Sequence, residues 1–219
     1  MLSESGESVG PREPQATRPA LRLGIYYAAL FAVLGVNVPF WPVWMASRGL
    51  SAAEIGMALS LGLAMKVVVN PLVGHLADRT GRRRLLMIGL SIGAAVSYGC
   101  LWFGHDFVAL TLIAMVFFCF WSPLIPMGEN LTMLMVKGRG LDYGRIRLWG
   151  SLGFVVASVA AGIVLKGRDP DLIWMMVTGG IVITALSCMA LPRVRVPRAE
   201  SRRWTALPSS KGGPRFEPG

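Results

Sequence analysis

The fold is decided by residues 52–84, which read AAEIGMALSLGLAMKVVVNPLVGHLADRTGRRR. Residues 52–74 form an apolar run with a single charged residue deep inside it, Lys66. At 1.5 Å per residue, about 20 helical residues cross the roughly 30 Å hydrocarbon core of a bilayer, so this run is long enough for one span. Arg79 and the three arginines at 82–84 follow directly. The segment therefore predicts a transmembrane helix that ends in a short basic loop.

The composition of the whole chain extends this pattern. The chain has 219 residues, of which 53% are hydrophobic and 16% are charged, and its mean hydropathy is +0.54. A soluble domain carries about 25% charged residues, and disorder requires low hydrophobicity, so both classes are excluded for most of the chain. Because a lipid-exposed backbone must satisfy its own hydrogen bonds, we expect an all-α, polytopic membrane protein. Six apolar runs predict the spans: 21–46, 52–74, 85–104, 107–136, 146–165 and 171–191.

The 22 lysines and arginines indicate the topology. Eighteen of them lie in the two terminal segments and in the loops after the second and fourth runs, whereas Arg48, Lys166 and Arg168 lie on the opposite side. This asymmetry predicts a protein of the cell (inner) membrane with both termini in the cytoplasm. It also explains the net charge of +10 without a nucleic-acid partner. We expect a disordered tail over 1–20, a bundle over 21–191, and a basic, disordered tail over 192–219 that is attracted to the lipid bilayer.

The prolines suggest an internal repeat. Pro39 and Pro42 interrupt the first run, and Pro123 and Pro126 interrupt the fourth, where we expect a kink. These runs are the first helices of two three-helix units. The sequence therefore predicts a six-helix bundle of two inverted three-helix repeats, with a binding site between repeats where the helices are broken.

The loop after the second run carries the most specific motif of the chain. Its form is G-x-x-x-D-R-x-G-x-R-R, with fixed residues that include Gly74, Asp78, Arg79, Gly81 and Arg83. The glycines permit a tight turn, and a lone carboxylate among arginines can be held by charge-assisted hydrogen bonds. In sequence and position, this motif resembles the loop signature of the major facilitator superfamily. The resemblance implies a cytoplasmic gate formed by these residues, whose aspartate contacts the other half of a carrier.

Ionisable residues inside the apolar runs are the candidates for a solute site. Lys66 lies eight residues before the predicted end of its run at residue 74, and Glu129 lies eight residues before the basic end of its helix at Lys137, so we expect both at a similar depth. A charge at mid-membrane is costly, so such groups face the protein interior or a wet cavity. Two alternatives to a solute site stay open. Lys66 and Glu129 would form an ion pair that only joins helices, and Arg145 and Arg147 would be interfacial anchors. Arg147 is also a second candidate partner of these charges.

The stretch from Glu129 to Phe154 resembles the helix 4–5 region of lactose permease and its oligosaccharide–proton symporter relatives. The step from the glutamate to Arg147 is the same, and Pro39-Phe40-Trp41-Pro42 resembles the helix 1 motif of that branch. The resemblance implies solute binding by Glu129, Arg147 and Phe154, although the family aromatic is Trp. Lys66 is a departure that suits an anionic solute, and the phenylpropionate and nucleoside permease branches match equally well. Asn37 is a further cavity-side candidate.

The resemblance implies a secondary active transporter, a symporter that takes up a small polar or anionic organic solute with protons by alternating access. It covers only the amino-terminal half of a twelve-helix carrier. Two alternatives therefore stay open: a truncated, inactive half-carrier, and a half-transporter that pairs with itself or with a second half. We expect no enzymatic activity, cofactor or metal site, because His75 and His105 lie at opposite membrane faces and the three cysteines lie in apolar runs.

Overall fold

The computed structural model describes residues 17–192, so the expected tails lie almost entirely outside the described residues. The described part is all-helical, with one short 3-10 turn and no strand. Six stretches are long and apolar enough to span a membrane, which confirms the predicted spans. The fourth span consists of two helices, α4 and α5. The helices are α1 (Thr17–Ser47), α2 (Ala52–Thr80), α3 (Arg83–Cys100), α4 (Phe107–Trp121), α5 (Leu124–Arg139), α6 (Tyr143–Leu165) and α7 (Asp171–Ala190).

Local sequence signals set the helix ends. Ser51 and Glu54 form a capping box at the start of α2, in which each side chain bonds the backbone N–H of the other. Asp106 and Asp142 accept backbone N–H bonds at the starts of α4 and α6. Gly81 ends α2 in the left-handed conformation, with φ +63°, which confirms the expected glycine turn. We call the end of the bundle at Gly81 the gate end and the opposite end the far end.

The kink expected in the fourth span is a break at Ser122 and Pro123. Proline has no backbone N–H and clashes with the preceding helical turn, so α4 ends at Trp121 and α5 begins at Leu124. The first span is different. Helix α1 runs unbroken through Pro39 and Pro42, so the expectation of matching broken helices is wrong for this span. Membrane helices tolerate proline where neighbouring elements and small local adjustments satisfy the freed backbone groups.

Helix packing shows the two-repeat symmetry. Helix α1 packs on α6 and α7, while α4 packs on α2 and α3, and α3 packs on α7. Exchange of the first three spans for the last three maps the contacts of α1 onto those of α4 and maps the α3–α7 contact onto itself. In the most apolar 18-residue stretch of each span, 50% of the residues are buried in the first and fourth spans. The corresponding share is 11% in α2 and in α6. The second and fifth spans therefore lie at the periphery of this six-span unit.

Small residues allow the closest helix contacts. At Gly153 a Cβ atom would clash with the backbone of Ala28, so α1 and α6 approach backbone to backbone. At Gly93 a Cβ would lie 2.6 Å from the ring of Phe120. A tightly packed aromatic core fills the centre of the bundle. Its largest fully buried side chains include Trp44, Tyr26, Tyr27, Tyr98 and Phe117.

Candidate functional site

Glu129 and Arg147 form an ion pair within the membrane-spanning part of the bundle. The Nε atom of Arg147 lies 3.9 Å from Oε1 of Glu129. Glu129 is on α5, and Arg147 is on the first turns of α6. Their side chains are 41% and 31% exposed, so the pair lies at a surface of the six-span unit and is open to a ligand or to water. The structure therefore brings together two of the predicted solute-site residues.

Aromatic side chains of α1 position the arginine. The guanidinium carbon of Arg147 lies 4.1 Å from the ring centroid of Phe31 and 5.6 Å from that of Tyr27, which are cation–π distances. The hydroxyl of Tyr27 accepts a hydrogen bond from Thr132 at 3.3 Å. Gly150 leaves the necessary space, because a Cβ there would lie 3.1 Å from both the guanidinium and the Phe31 ring. These supporting residues were not predicted from the sequence.

Lys66 lies on α2, apart from the Glu129–Arg147 pair. Its Nζ atom is 5.4 Å from the ring centroid of Phe118, and Gly62, one turn earlier on α2, leaves room for that ring. The Oγ of Ser122 donates to Asn70 Oδ1 at 2.8 Å, which fixes the register of α2 against the fourth span. Phe118, which lies beside Lys66, precedes Glu129 by 11 positions. Lys66 and Glu129 are therefore separated by about 16 Å along the fourth span.

This register overturns two expectations about Lys66. Helix α2 continues past residue 74 to Thr80, so Lys66 and Glu129 do not lie at a similar depth. The alternative Lys66–Glu129 ion pair does not form, because Glu129 pairs with Arg147. Among residues 17–192, no carboxylate lies within 4 Å of the Lys66 amine.

Asn37 and Phe154 lie deeper in the packing between helices. Asn37 is 8% exposed and accepts a hydrogen bond from the hydroxyl of Tyr98 at 3.3 Å. Phe154 is partly buried, and its backbone packs directly against Gly35 of α1. The described contacts of Asn37 are therefore within the core, while Phe154 helps to set the distance between α1 and α6.

The gate motif forms a compact polar cluster at the gate end. Arg83 donates to Oδ1 of Asp78 at 2.7 Å and to Oδ1 of Asn130 at 2.6 Å. This confirms that the lone carboxylate is held by an arginine, and it adds a link to α5 that the motif alone did not predict. The Arg83 side chain is 13% exposed although Asp78 is 63% exposed. The cluster lines a cleft of about 130 Å³ together with Gly74 and other residues of α2 and the fourth span.

The motif is helical for most of its length, not a loop. Residues 74–80 form the last two turns of α2, and α3 begins at Arg83, so only residues 81 and 82 connect the helices. The boundary was misplaced because hydropathy falls at His75, whereas backbone hydrogen bonding continues to Gly81. Arg79 is exposed on the last turn of α2.

A six-span, two-repeat bundle with an ion pair between membrane spans and this gate cluster defines the class as half of a carrier of the major facilitator type. The comparisons with known proteins agree. A family model described as "MFS_1 like family" matches residues 20–206, and the chain belongs to this family.

Curated relatives are membrane carriers and not enzymes. The chain is 31% identical over 192 residues to the "Probable 3-phenylpropionic acid transporter" of Escherichia coli (strain K12), which covers 84% of this chain and 50% of that protein. It is 32% identical over 142 residues to the "Maltose permease" of Geobacillus stearothermophilus, covering 63% of this chain and 35% of that protein. The chain therefore spans about half the length, or less, of the curated relatives that it matches.

A solved structure supports the fold. The nucleoside transporter NupG superposes with a TM-score of 0.72 at 20% identity, over 88% of this chain and 49% of that one. At this identity the likeness shows the fold alone. It agrees with the six-span unit being one half of a carrier of this superfamily.

Proposed function

We propose that this chain provides one half of a proton-coupled carrier for a small polar or anionic organic solute. The observation that carries the proposal is the Glu129–Arg147 pair, held at 3.9 Å on an exposed face between membrane spans. Because a charge in contact with lipid is costly, the exposure favours a pair that faces a cavity or a second protein surface. The positive-inside rule supports the inner membrane as its location, with the gate end in the cytoplasm.

The pair suits a coupled mechanism by its chemistry. While Glu129 is ionised it neutralises the charge of Arg147 at 3.9 Å. A proton that enters from the outer side and binds Glu129 removes the negative charge, so that the guanidinium can donate to a solute oxygen. Loss of that proton to the cytoplasm restores the pair and releases the solute. Phe154 and Asn37 would shape the solute path indirectly. Phe154 would do so by its packing against α1, and Asn37 by its hydrogen bond with Tyr98 in the core.

A second six-span half completes the proposed carrier. Helices α2 and α6, which are largely unburied in this unit, carry exposed apolar side chains such as Val67 (75% exposed) and Val159 (58% exposed). The solved carriers that it resembles contain about as much chain again. Such a half would cover the ion pair, enclose a cavity lined by the first, second, fourth and fifth spans, and meet the gate residue Asp78.

Uptake into proteoliposomes tests the proposal. The purified chain is reconstituted, and the outer solution is made more acidic than the vesicle interior. Uptake is then measured for 3-phenylpropionate, maltose and uridine. We expect saturable uptake of one solute that disappears in Glu129→Gln and Arg147→Ala. Arg145→Ala is the matched control, since that side chain is 89% exposed two positions away and pairs only with Asp142 among described residues.

Each outcome has a defined meaning. Undiminished uptake in both variants would remove the ion pair from the mechanism. Uptake by the chain alone, with crosslinked dimers in the same vesicles, would favour two copies as the two halves. A folded chain that gives no uptake of any solute would contradict transport by this polypeptide alone and would favour an inactive half-carrier or one that needs a different second half.

A further inference from the structure

Lys66 lies at the middle of its helix. Fourteen residues separate it from Ala52 at the start of α2, and fourteen separate it from Thr80 at the end. At 1.5 Å per residue each end is about 21 Å away. A hydrocarbon core of about 30 Å centred on this helix places each membrane surface about 15 Å from Lys66, which is farther than a lysine side chain extends. The charge of Lys66 is therefore satisfied within the membrane or not at all.

The surroundings of the amine are aromatic and apolar. Phe118 faces Nζ at 5.4 Å, and the flanking residues Leu63 and Val67 are 56% and 75% exposed. The nearest polar pair along this interface, Asn70 and Ser122, is already joined by its own hydrogen bond. Within residues 17–192, the amine has a ring to stabilise it and no anionic partner.

The charges of Lys66, Glu129 and Arg147 do not sum to zero. Glu129 and Arg147 neutralise one another at 3.9 Å, and Lys66 leaves one positive charge over. When the second half covers the site, this charge is removed from water, which is costly without a counter-charge. A solute that carries one negative charge would remove that imbalance, whereas a neutral sugar or nucleoside would leave it in place.

We infer that Lys66 makes this half-site selective for a monovalent organic anion, a carboxylate on an apolar body. The carboxylate would bind the amine, and the body would lie along the apolar surface around Leu63, Val67 and Phe118. This inference rests on the proposed function, and it names the class of solute for the same carrier. Lys66 would be the first contact on the solute path, and Glu129 and Arg147, about three helical turns nearer the gate end, keep the solute-binding and proton-coupling role proposed above.

Binding of a matched acid and amide tests the inference. The full chain is placed in nanodiscs of neutral phosphatidylcholine, and equilibrium dialysis measures the affinity for 3-phenylpropionate and for 3-phenylpropionamide, which has nearly the same shape and no charge. We expect the acid to bind about tenfold more tightly, or more, because it makes a charge-assisted contact. In Lys66→Gln the two ligands should bind within about twofold of each other, and Lys66→Arg should restore the preference. Lys137→Gln, an exposed lysine at the end of α5, should leave it unchanged.

The outcomes separate this inference from the proposed function. Tighter binding of the acid that survives in Lys66→Gln would overturn the role of Lys66. Binding of maltose or uridine by the wild-type chain, with no preference for the acid, would overturn the inference while the carrier function stands. Absence of binding for all four compounds would overturn both. Because Lys66→Gln removes an unpaired charge from the membrane, its thermal stability should equal or exceed that of the wild type, which excludes misfolding as the reason for lost selectivity.

Discussion

Substitution of Arg83 by methionine tests whether the gate cluster joins α2, α3 and α5. The side chain is 13% exposed and donates two hydrogen bonds, at 2.7 Å to Asp78 and at 2.6 Å to Asn130. Because Asp78 is 63% exposed, solvent screens the ion pair, which contributes about 0.5–1 kcal/mol. The bond to the amide of Asn130 adds about 1–1.5 kcal/mol. Methionine keeps the apolar stem, so we expect a loss of about 2 kcal/mol.

Thermal unfolding in detergent micelles, followed by tryptophan fluorescence, measures this loss. For a chain of this size, about 2 kcal/mol corresponds to a fall in Tm of about 4–8 °C. Arg82→Met is the matched control, since that neighbouring side chain is exposed, and its Tm should be unchanged. Asn130→Ala should cost less in the Arg83→Met background than in the wild type, because the two residues share one hydrogen bond. Equal effects of Arg82→Met and Arg83→Met, or fully additive effects of Arg83→Met and Asn130→Ala, would refute the cluster.

Two further substitutions test the packing between repeats. Gly153→Leu should destabilise the bundle by about 1–3 kcal/mol in the same assay, because any Cβ meets the backbone of Ala28. Gly89→Leu is its control, since open space surrounds that position, and equal losses would show that glycine itself, not the close approach, matters. Asp171→Asn should lower stability by about 1 kcal/mol, because it weakens the 3.0 Å ion pair with Arg48. High salt should narrow the difference between Asp171→Asn and the wild type, and a difference that salt leaves unchanged would contradict an electrostatic origin.

The spans could be predicted from the sequence because lipid leaves the backbone few alternatives. Each apolar run of about 20 residues must be helical, and all six predicted runs are, the fourth as the two helices α4 and α5. The break at Pro123 was also predictable, since proline removes a helix hydrogen bond. The continuity of α1 through Pro39 was not predictable from the sequence. Whether a proline breaks a membrane helix depends on the neighbours that satisfy its backbone, and these are set by tertiary packing.

The residues of the candidate site were predictable from the sequence, which left open whether Lys66 or Arg147 pairs with Glu129. Glu129 and Arg147 stand out because charges are rare in apolar runs. Their contact depends on the angle at which α5 and α6 meet, and a hydropathy pattern does not specify this angle. Tyr27 and Phe31 were missed because an aromatic residue in an apolar run is typical of packing. Their i, i+4 spacing on one helix face was the available signal.

The error in the predicted position of Lys66 follows from an error in a helix boundary. The predicted end of the second run at residue 74 placed the amine at the depth of Glu129. Polar residues of the gate motif in fact continue α2 to Thr80, and the amine lies beside Phe118. Charged side chains at a helix end lower the hydropathy without ending the hydrogen bonding, so hydropathy alone underestimates the length of such a helix.

The most direct test of the carrier mechanism is the exposure of the ion-pair position to water. Cys100, Cys119 and Cys188 are replaced by serine, Glu129→Cys is introduced, and vesicles are treated with a charged, membrane-impermeant thiol reagent. Val159→Cys, on an exposed apolar face of α6, is the comparison. We expect Glu129→Cys to react from the aqueous phase and the transported solute to slow that reaction, while Val159→Cys reacts little. No reaction at position 129, or equal reaction at both positions with no effect of solute, would contradict a solute path at Glu129 and Arg147.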